Sequence, residues 1–155
     1  KTPIEWHKKI FQYARNLGLV AFSTPFDEIS TNFLSKLNVP AYKIASFEIV
    51  DIPLIQYIAK KGKPIFMSTG MASLDEINDA ISVIRNESES DLILLHCISS
   101  YPAPTEQSNL NNITCLIDKF GVHVGLSDHT TSNVAALTAI GMGAVAIEKQ
   151  EYIRQ

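Results

Sequence analysis

Six short apolar runs, rich in β-branched residues, recur along the chain and are separated by segments with helical periodicity. Nearly every position within a run is apolar, which is typical of strands that are covered on both faces. The pattern therefore predicts six β-strands that alternate with helices. The predicted strands are residues 19–24, 41–46, 64–69, 92–97, 122–127 and 144–148.

Two of the intervening segments carry helix signals. The apolar stripe of the first segment consists of Trp6, Ile10, Tyr13 and Leu17. Gly18 follows this stripe, at the position where a left-handed helix stop is expected. Further along, Ser73 and Glu76 have the spacing of a capping box and precede isoleucines at helical intervals. We therefore expect a helix between the predicted strands in both places.

Regular alternation of strands and helices indicates an α/β protein with a parallel sheet and right-handed crossovers. Two architectures fit this order, the doubly wound open sheet and the closed (β/α)8 barrel. Nearly every predicted strand ends in polar residues, and a barrel gathers all its strand ends around one mouth, whereas an open sheet has one switch point. The pattern favours a TIM barrel. A full barrel takes roughly 250 residues and eight units, so residues 1–155 predict an incomplete barrel of about six.

Composition excludes several classes of function. The 155 residues are 46% hydrophobic and 19% charged, as in an ordinary globular domain. A formal net charge of -3 gives no basic surface for nucleic acid or an anionic membrane. No apolar run approaches the roughly 20 residues needed to cross a bilayer, and the first residues lack a secretory profile, so we expect a cytoplasmic protein. Two cysteines are too few for a disulfide framework or a zinc cluster, and we expect Cys97 to be a small buried hydrophobe.

Hydroxyl side chains are concentrated at the predicted strand ends. They are Thr24, Ser46, Ser68, Thr69, Ser99, Ser100 and Ser127. Taken singly, each is typical of a helix cap or a turn. Taken together at one rim, hydroxyls and the backbone N–H groups of helix starts would form a cradle for a phosphate group.

Three further residues are candidates for chemistry. Lys43 lies inside an apolar run, where an ammonium group is costly to bury without a partner, and a bound phosphate or carboxylate would supply one. Strand alternation would place Glu48 on the same side as Ser46. His129 follows the fifth run and is a candidate metal ligand, acid or base, or structural group, whereas His96 is expected to be a packed, hydrogen-bonded core residue.

Several strings of residues in this order resemble the barrel domain of the sialic acid synthase family. They are STPF (23–26), AYKIASFE (41–48), STGMAS (68–73), LLHCISSYPAP (94–104), GLSDHT (125–130) and IEK (147–149). The form KIASFEIVD is most similar to the pseudaminic acid synthase branch. The resemblance covers nearly the whole chain.

The resemblance implies a condensation of phosphoenolpyruvate with a 2-acetamido sugar that depends on a divalent metal, Mn or Mg. It implies that phosphoenolpyruvate is held by the set Thr24, Lys43, Ser46, Ser68 and Ser127. Glu48 and Tyr101 would face the sugar, with Glu48 as acid or base and Ser99 beside them in the substrate site. His129 would be a metal ligand, and the full-length protein would be a homodimer.

The chain departs from the family pattern in three respects. Gln150 stands where family members usually have a second metal-binding histidine. Ser99 replaces the asparagine that is usual in sialic acid synthases. The family's first two barrel strands and its C-terminal antifreeze-like domain are absent from residues 1–155, so this chain is expected to be a fragment of the catalytic barrel.

Other functions remain open at this point. Another branch of the same family would use N-acetylmannosamine or the legionaminic acid precursor. The amide at Gln150, a poorer Mn ligand than imidazole, allows a catalytically impaired barrel with a binding or scaffold role. A barrel aldolase with Lys43 as a Schiff base is a third alternative, although the neighbouring hydroxyls suit phosphate better than a desolvated amine.

Overall fold

The computed structural model describes residues 3–149 of the chain. Two successive helices come first, and strands and helices alternate after them, with two short 3₁₀ helices, Ser46–Val50 and Thr105–Gln107, within the connections. The strands are β1 (Tyr42–Ile44), β2 (Ile65–Ser68), β3 (Leu92–Cys97), β4 (His123–Asp128) and β5 (Ile147–Lys149). The helices are α1 (Ile4–Asn16), α2 (Glu28–Lys36), α3 (Ile52–Ala59), α4 (Leu74–Glu87), α5 (Asn111–Phe120) and α6 (Val134–Gly141).

All five strands are parallel and form one sheet in the order β1-β2-β3-β4-β5. The order follows the sequence without the reversal that marks a doubly wound sheet. Each strand is joined to the next through a helix, as in a (β/α)8 barrel. The prediction of an α/β fold of the TIM-barrel type is therefore confirmed, with the described strands forming about half of such a barrel.

The prediction of a strand at residues 19–24 is wrong. Only Ser23 pairs, in an isolated parallel bridge to Tyr42, and the Lys43 N–H donates to the Ser23 carbonyl at 3.3 Å. This segment lies at the outer edge of the described sheet, beside a three-residue strand, so it has a ladder partner on one side over a very short length. The run therefore has few ladder hydrogen bonds available to it among the described residues.

The other runs agree with the strands within a few residues. The run 41–46 yields only Tyr42–Ile44, because the chain enters a 3₁₀ helix at Ser46. We expected strand alternation to place Glu48 on the same side as Ser46. Both residues lie in this 3₁₀ helix, which has three residues per turn, so strand alternation does not apply and the premise is wrong. The last run shifts to Ile147–Lys149, which places Lys149 inside β5.

The core lies between the sheet and the helices. Alternate strand residues such as Tyr42, Ile44, Ile65 and Met67 face it and are at most 1% exposed. The helices contribute the other half of the cluster, with Ile55, Ile58, Ile81, Ile84 and Ile113 among the best-buried side chains. The remaining strand residues, including Lys43 and Ser68, lie on the concave face that would line the inside of a barrel.

Both predicted helix signals are confirmed. α1 ends at Asn16, and Gly18 has a φ of 75°, the left-handed conformation expected at a helix stop. At the start of α4, the Glu76 N–H donates to the Ser73 hydroxyl at 3.2 Å, and the Ser73 N–H donates to the Glu76 carboxylate at 2.7 Å. This reciprocal pair is the capping box that the sequence predicts.

The apolar stripe of α1 is exposed. Trp6 and Tyr13 are 57% and 68% exposed, and Phe11 is the buried residue of this helix. The stripe therefore does not contribute to the described core. Within residues 3–149, no helix is both long enough and apolar enough to cross a membrane.

Candidate active site at the carboxyl ends of the strands

Lys43 projects from β1 onto the concave face of the sheet. Its ammonium group donates to the Ser68 hydroxyl at 2.6 Å and to the Ile44 carbonyl at 3.2 Å. The Lys43 side chain is 11% exposed, and its Nζ lies 3.6 Å from a carboxylate oxygen of Glu148. Lys43 is therefore an ammonium group held in place on the concave face, with Ser68 and Glu148 as its partners.

Ser127 and Glu148 are opposite one another at the ends of β4 and β5. The Ser127 hydroxyl donates to the Glu148 carboxylate at 3.1 Å, and it also lies 3.2 Å from Nε2 of His129. Ser127 is 3% exposed, whereas the Glu148 side chain is 47% exposed. Glu148 therefore joins Lys43 on β1 to Ser127 on β4 across the concave face.

His129 is held from both sides of its ring and is 8% exposed. Its Nδ1 lies 2.9 Å from the Ile98 carbonyl oxygen. Because a carbonyl can only accept, Nδ1 is the donor in this contact. The ring of Tyr101 lies against the imidazole, with centroids 4.2 Å apart.

Asp128 and Lys149 form a second pair at the same strand ends, on the opposite face from Ser127 and Glu148. The Lys149 ammonium donates to the Asp128 carboxylate at 2.6 Å, and the Asp128 side chain is 1% exposed. Burial raises the pKa of Asp128, but hydrogen bonds from Lys149 and Thr130 and the charge of Lys149 outweigh it, so the pKa lies below its ordinary value. Both oxygens of this carboxylate accept hydrogen bonds from the protein, Oδ1 from the Thr130 N–H and Oδ2 from Lys149.

A second group of polar atoms converges on Gly70, near the ends of β1, β2 and β3. The Ser46 hydroxyl lies 3.1 Å from Sγ of Cys97. A Cβ on Gly70 would lie 2.7 Å from Cys97 Sγ, 2.7 Å from Ser99 Oγ and 2.9 Å from Ser46 Oγ. Ser46, Cys97 and Ser99 therefore crowd around the one residue whose lack of a side chain leaves them room.

Glu48 lies on the 3₁₀ helix that follows β1. Its Oε2 is buried and has no hydrogen-bond partner among the described residues. A buried carboxylate oxygen without a donor is unfavourable, which makes Glu48 a candidate to accept a hydrogen bond from a ligand. The neighbouring Phe47 is 70% exposed.

Thr24 is less closely connected to the other predicted site residues. The ring of Phe22 stacks on that of Phe66, on the concave face, with centroids 5.3 Å apart. An extended chain would bring Thr24, two residues later, to the same face. Thr24 also lines a cavity of about 510 Å³ at the outer edge of the sheet, and its hydroxyl makes no hydrogen bond to Lys43 or Ser68.

The structure thus brings most of the predicted residues to one rim. Lys43, Ser68, Ser127 and His129 are connected through direct contacts and through Glu148, while Ser46 and Ser99 gather around Gly70. Gln150 lies outside the described residues. His96 is confirmed as a core residue, 6% exposed with its Nε2 donating to the Ser108 carbonyl at 2.8 Å. Cys97 is buried, as expected.

Five residues of this rim were not among the predicted site residues: Gly70, Cys97, Asp128, Glu148 and Lys149. The polar end of the last apolar run was the available signal for the two residues on β5. Their partners depend on the register between β4 and β5, which local periodicity does not determine.

Among the described residues, His129 has a geometry that suits a divalent-metal ligand. An imidazole that donates through Nδ1 to a backbone carbonyl is the arrangement typical of metal-binding histidine, and a metal at Nε2 would replace the contact with Ser127. Within residues 3–149, no three His, Cys, Asp or Glu side chains form a cluster that could hold a metal. His129 therefore fits such a site, and its other ligands would be water, substrate or residues beyond this range.

A separate cavity of about 590 Å³ opens at the other end of the sheet. It is lined by residues at the starts of β3 and β4, including Leu92 and His123, and by Arg85. The Arg85 guanidinium donates to the Phe120 carbonyl at 3.2 Å. In barrels of this kind, the amino-terminal end serves stability and the carboxyl ends carry the chemistry, so the polar rim remains the candidate active site.

Comparison with known proteins identifies relatives over nearly the whole chain. The chain is 47% identical over 148 residues to a pseudaminic acid synthase of Helicobacter pylori, an alignment that covers 96% of the chain and 44% of that protein. It is 40% identical over 145 residues to an N,N'-diacetyllegionaminic acid synthase of Campylobacter jejuni, covering 92% of the chain and 43% of that protein. The chain therefore spans less than half the length of these relatives.

A solved structure gives the same result for the fold. The chain superposes on an N-acetylneuraminic acid synthetase of Leptospira borgpetersenii with a TM-score of 0.92 and 33% identity, covering 98% of the chain and 53% of that protein. The NeuB family matches residues 1–152. With nearly the whole chain matched in sequence and in fold, the protein belongs to the NeuB family.

Proposed function

We propose that the full-length protein condenses phosphoenolpyruvate with a 2,4-diacetamido-trideoxy hexose to give pseudaminic acid and phosphate. The observation that carries this proposal is the connected set of Lys43, Ser68, Ser127 and His129 at one rim. It combines a fixed positive charge with hydroxyl donors, which is what a phosphorylated carboxylic acid requires. The 47% identity to a pseudaminic acid synthase favours this sugar.

In the proposed reaction, the C2–C3 double bond of phosphoenolpyruvate supplies the electron pair for a bond from C3 to the aldehyde carbon of the sugar. The C=O π bond of the aldehyde opens, and its oxygen takes up a proton to become a hydroxyl. Water then adds to the electron-poor C2 and releases a proton. The C2–O bond then breaks and phosphate leaves. Lys43 would hold the anionic groups of phosphoenolpyruvate, with Ser46, Ser68, Ser127 and Thr24 as hydroxyl donors around it. These contacts would fix the reacting carbon against the sugar.

Glu48 is proposed as the acid or base at the carbonyl end of the sugar. Its buried Oε2 supports this role, because a sugar hydroxyl would supply the missing hydrogen bond. Tyr101 and Ser99 would contact the sugar on the same side, and the 63% exposed ring of Tyr101 is accessible to such a ligand.

A divalent metal, Mn or Mg, is proposed to be bound through Nε2 of His129. When bound, it would polarise the sugar aldehyde. The Ile98 carbonyl would fix the imidazole in the ligating tautomer, and the adjacent Tyr101 ring would limit its rotation. The full-length protein is proposed to act as a homodimer, as the family resemblance implies.

The test is release of phosphate from phosphoenolpyruvate by the purified full-length protein. We expect release to require both the 2,4-diacetamido altrose-type sugar and a divalent metal. Phosphoenolpyruvate alone, and the sugar with chelator, are the two controls. Release no faster than in these controls would refute the proposal.

A second candidate is a legionaminic acid synthase, because a legionaminic acid synthase of C. jejuni is 40% identical to the chain. The two reactions differ only in the sugar. A panel of the altrose-type sugar, the legionaminic acid precursor and N-acetylmannosamine, compared by kcat/KM, distinguishes them. The highest kcat/KM with the legionaminic acid precursor would replace the first proposal with the second.

A further inference from the structure

We propose that Lys149 is a positioning residue that fixes the loop bearing His129. The inference rests on the proposed function, in which His129 is a metal ligand. It concerns the β4–α6 loop, residues 129–133, and the ammonium group that binds this loop from the side opposite the metal site.

Lys149 directs all its donors at this loop and at the strand end before it. Its Nζ donates to the Asp128 carboxylate at 2.6 Å, to the Thr130 carbonyl at 2.9 Å and to the Ser132 carbonyl at 2.6 Å. An ammonium group has three N–H bonds, so each is used in one of these contacts. The two carbonyls come from residues on the far side of His129, and the carboxylate comes from the residue before it.

Asp128 completes the arrangement. Its Oδ2 receives Lys149, and its Oδ1 accepts from the Thr130 N–H at 2.9 Å. The peptide that carries His129 is therefore bracketed by Asp128 and Thr130, and both of these residues are bound to Lys149. Because the Asp128 side chain is 1% exposed, this carboxylate depends on the ammonium group for compensation.

The imidazole is fixed on the other face by the Ile98 carbonyl and by Ser127. These contacts set the rotation of the ring, while Lys149 sets the path of the backbone from which the ring projects. Loss of Lys149 would leave two carbonyls and a buried carboxylate without their donor, and the loop would rearrange to reach water. His129 would then lose its position relative to Lys43 and Glu148.

The test measures binding of Mn²⁺ to the metal-free full-length protein, without substrates, by electron paramagnetic resonance. The Lys149→Met variant should bind Mn²⁺ about 10- to 100-fold more weakly, the effect expected for loss of a residue that orients a ligand. Lys63→Met is the matched control, because Lys63 donates to Asn38 at a site without contact to this loop. The KM for phosphoenolpyruvate should change far less than Mn²⁺ affinity in Lys149→Met, since Lys43 and Ser68 are untouched.

A double-mutant cycle with His129→Ala separates positioning from general stability. If Lys149 acts through His129, Lys149→Met will have little further effect on Mn²⁺ affinity once His129 is gone. Equal losses in both backgrounds would overturn the inference. Unchanged Mn²⁺ affinity in Lys149→Met would also overturn it while leaving the proposed function intact.

Two conservative variants keep the test decisive if Lys149→Met does not fold. Lys149→Arg retains the charge and several donors and should bind Mn²⁺ nearly as tightly as the unsubstituted protein, whereas Lys149→Gln should not. Tight binding by Lys149→Gln would contradict the inference. Failure of the unsubstituted protein to bind Mn²⁺ would instead overturn the metal site of the proposed function, and this inference with it.

Discussion

Replacement of Gly70 by alanine tests the geometry of the rim most directly. Gly70 is not required for its backbone conformation, because its φ is not in the left-handed region. The constraint is space, since a Cβ would lie 2.7 Å from Cys97 Sγ, 2.7 Å from Ser99 Oγ and 2.9 Å from Ser46 Oγ. Ordinary van der Waals contacts begin near 3.4 Å, so three neighbours would have to move at once.

The energetic cost of Gly70→Ala depends on which of the three neighbours can move away from the added Cβ. The two serine hydroxyls can rotate away, whereas Cys97 is 6% exposed and lies in β3 opposite Ser127. Overpacking of a well-packed site typically costs about 1–3 kcal/mol. The displaced groups are those proposed to hold the substrate, so we expect kcat/KM to fall as well. A loss of about 1–3 kcal/mol in transition-state stabilisation would lower kcat/KM by about 5- to 150-fold.

The assay compares thermal unfolding and kcat/KM for phosphoenolpyruvate in the full-length protein. Gly141→Ala is the matched control, because a Cβ at the end of α6 meets nothing within 4 Å, and it should leave both quantities near their original values. A Gly70→Ala variant with unchanged melting temperature and unchanged kcat/KM would refute the packing argument.

Three further predictions follow from other parts of the structure. Lys43→Met should raise the KM for phosphoenolpyruvate by about tenfold or more, since a hydrogen bond to a charged group contributes about 1.5–3 kcal/mol; a KM like that of Lys63→Met would contradict this. Burial lowers the pKa of His96, against a smaller opposite effect of the Ser108 carbonyl. Below about pH 6.5 the unfolded chain therefore binds a proton that the folded chain excludes, and the free energy of unfolding should fall by up to about 1.4 kcal/mol per pH unit. Urea titrations of His96→Gln between about pH 7 and 5 should show a shallower fall, and an unchanged slope would exclude His96 as the cause. Residues 1–155 expressed alone should self-associate in size-exclusion chromatography through the sheet edges and the α1 stripe, and Trp6→Glu should reduce this; a monomeric peak for the original chain would show that the exposed apolar face is tolerated.

An apolar run predicts a strand of this fold well where the strand has a neighbouring strand on both sides. β3 coincides with its apolar run, residues 92–97, because it lies in the middle of the sheet between β2 and β4. The capping box at Ser73 was predictable for a similar reason, since both partners lie within one turn of α4. Residues 19–24 have an equally apolar pattern, but the neighbour they have among the described residues is the three-residue strand β1. Whether an apolar run becomes a strand therefore depends on its tertiary neighbours, which the local sequence does not show.

The candidate site shows the same division. Lys43 was recognisable because an ammonium group within an apolar run needs a partner, and the structure supplies Ser68 and Glu148. Glu48 was placed beside Ser46 by strand alternation, although the segment is a 3₁₀ helix. Residue type therefore indicated which groups matter, whereas the conformation after each strand end decided where they lie.

The ends of β4 and β5 show how register connects the two faces of the sheet. Ser127 is opposite Glu148 on the concave face, and Asp128 is opposite Lys149 on the other face. A slip of one residue would exchange these faces, bringing Lys149 to the position of Glu148 beside Lys43. The slipped register would place two ammonium groups together and bury the Asp128 carboxylate without its donor. The outer ion pair therefore specifies the register that brings Glu148 to Ser127 and Lys43, and the charge pattern of the concave face depends on a contact made behind it.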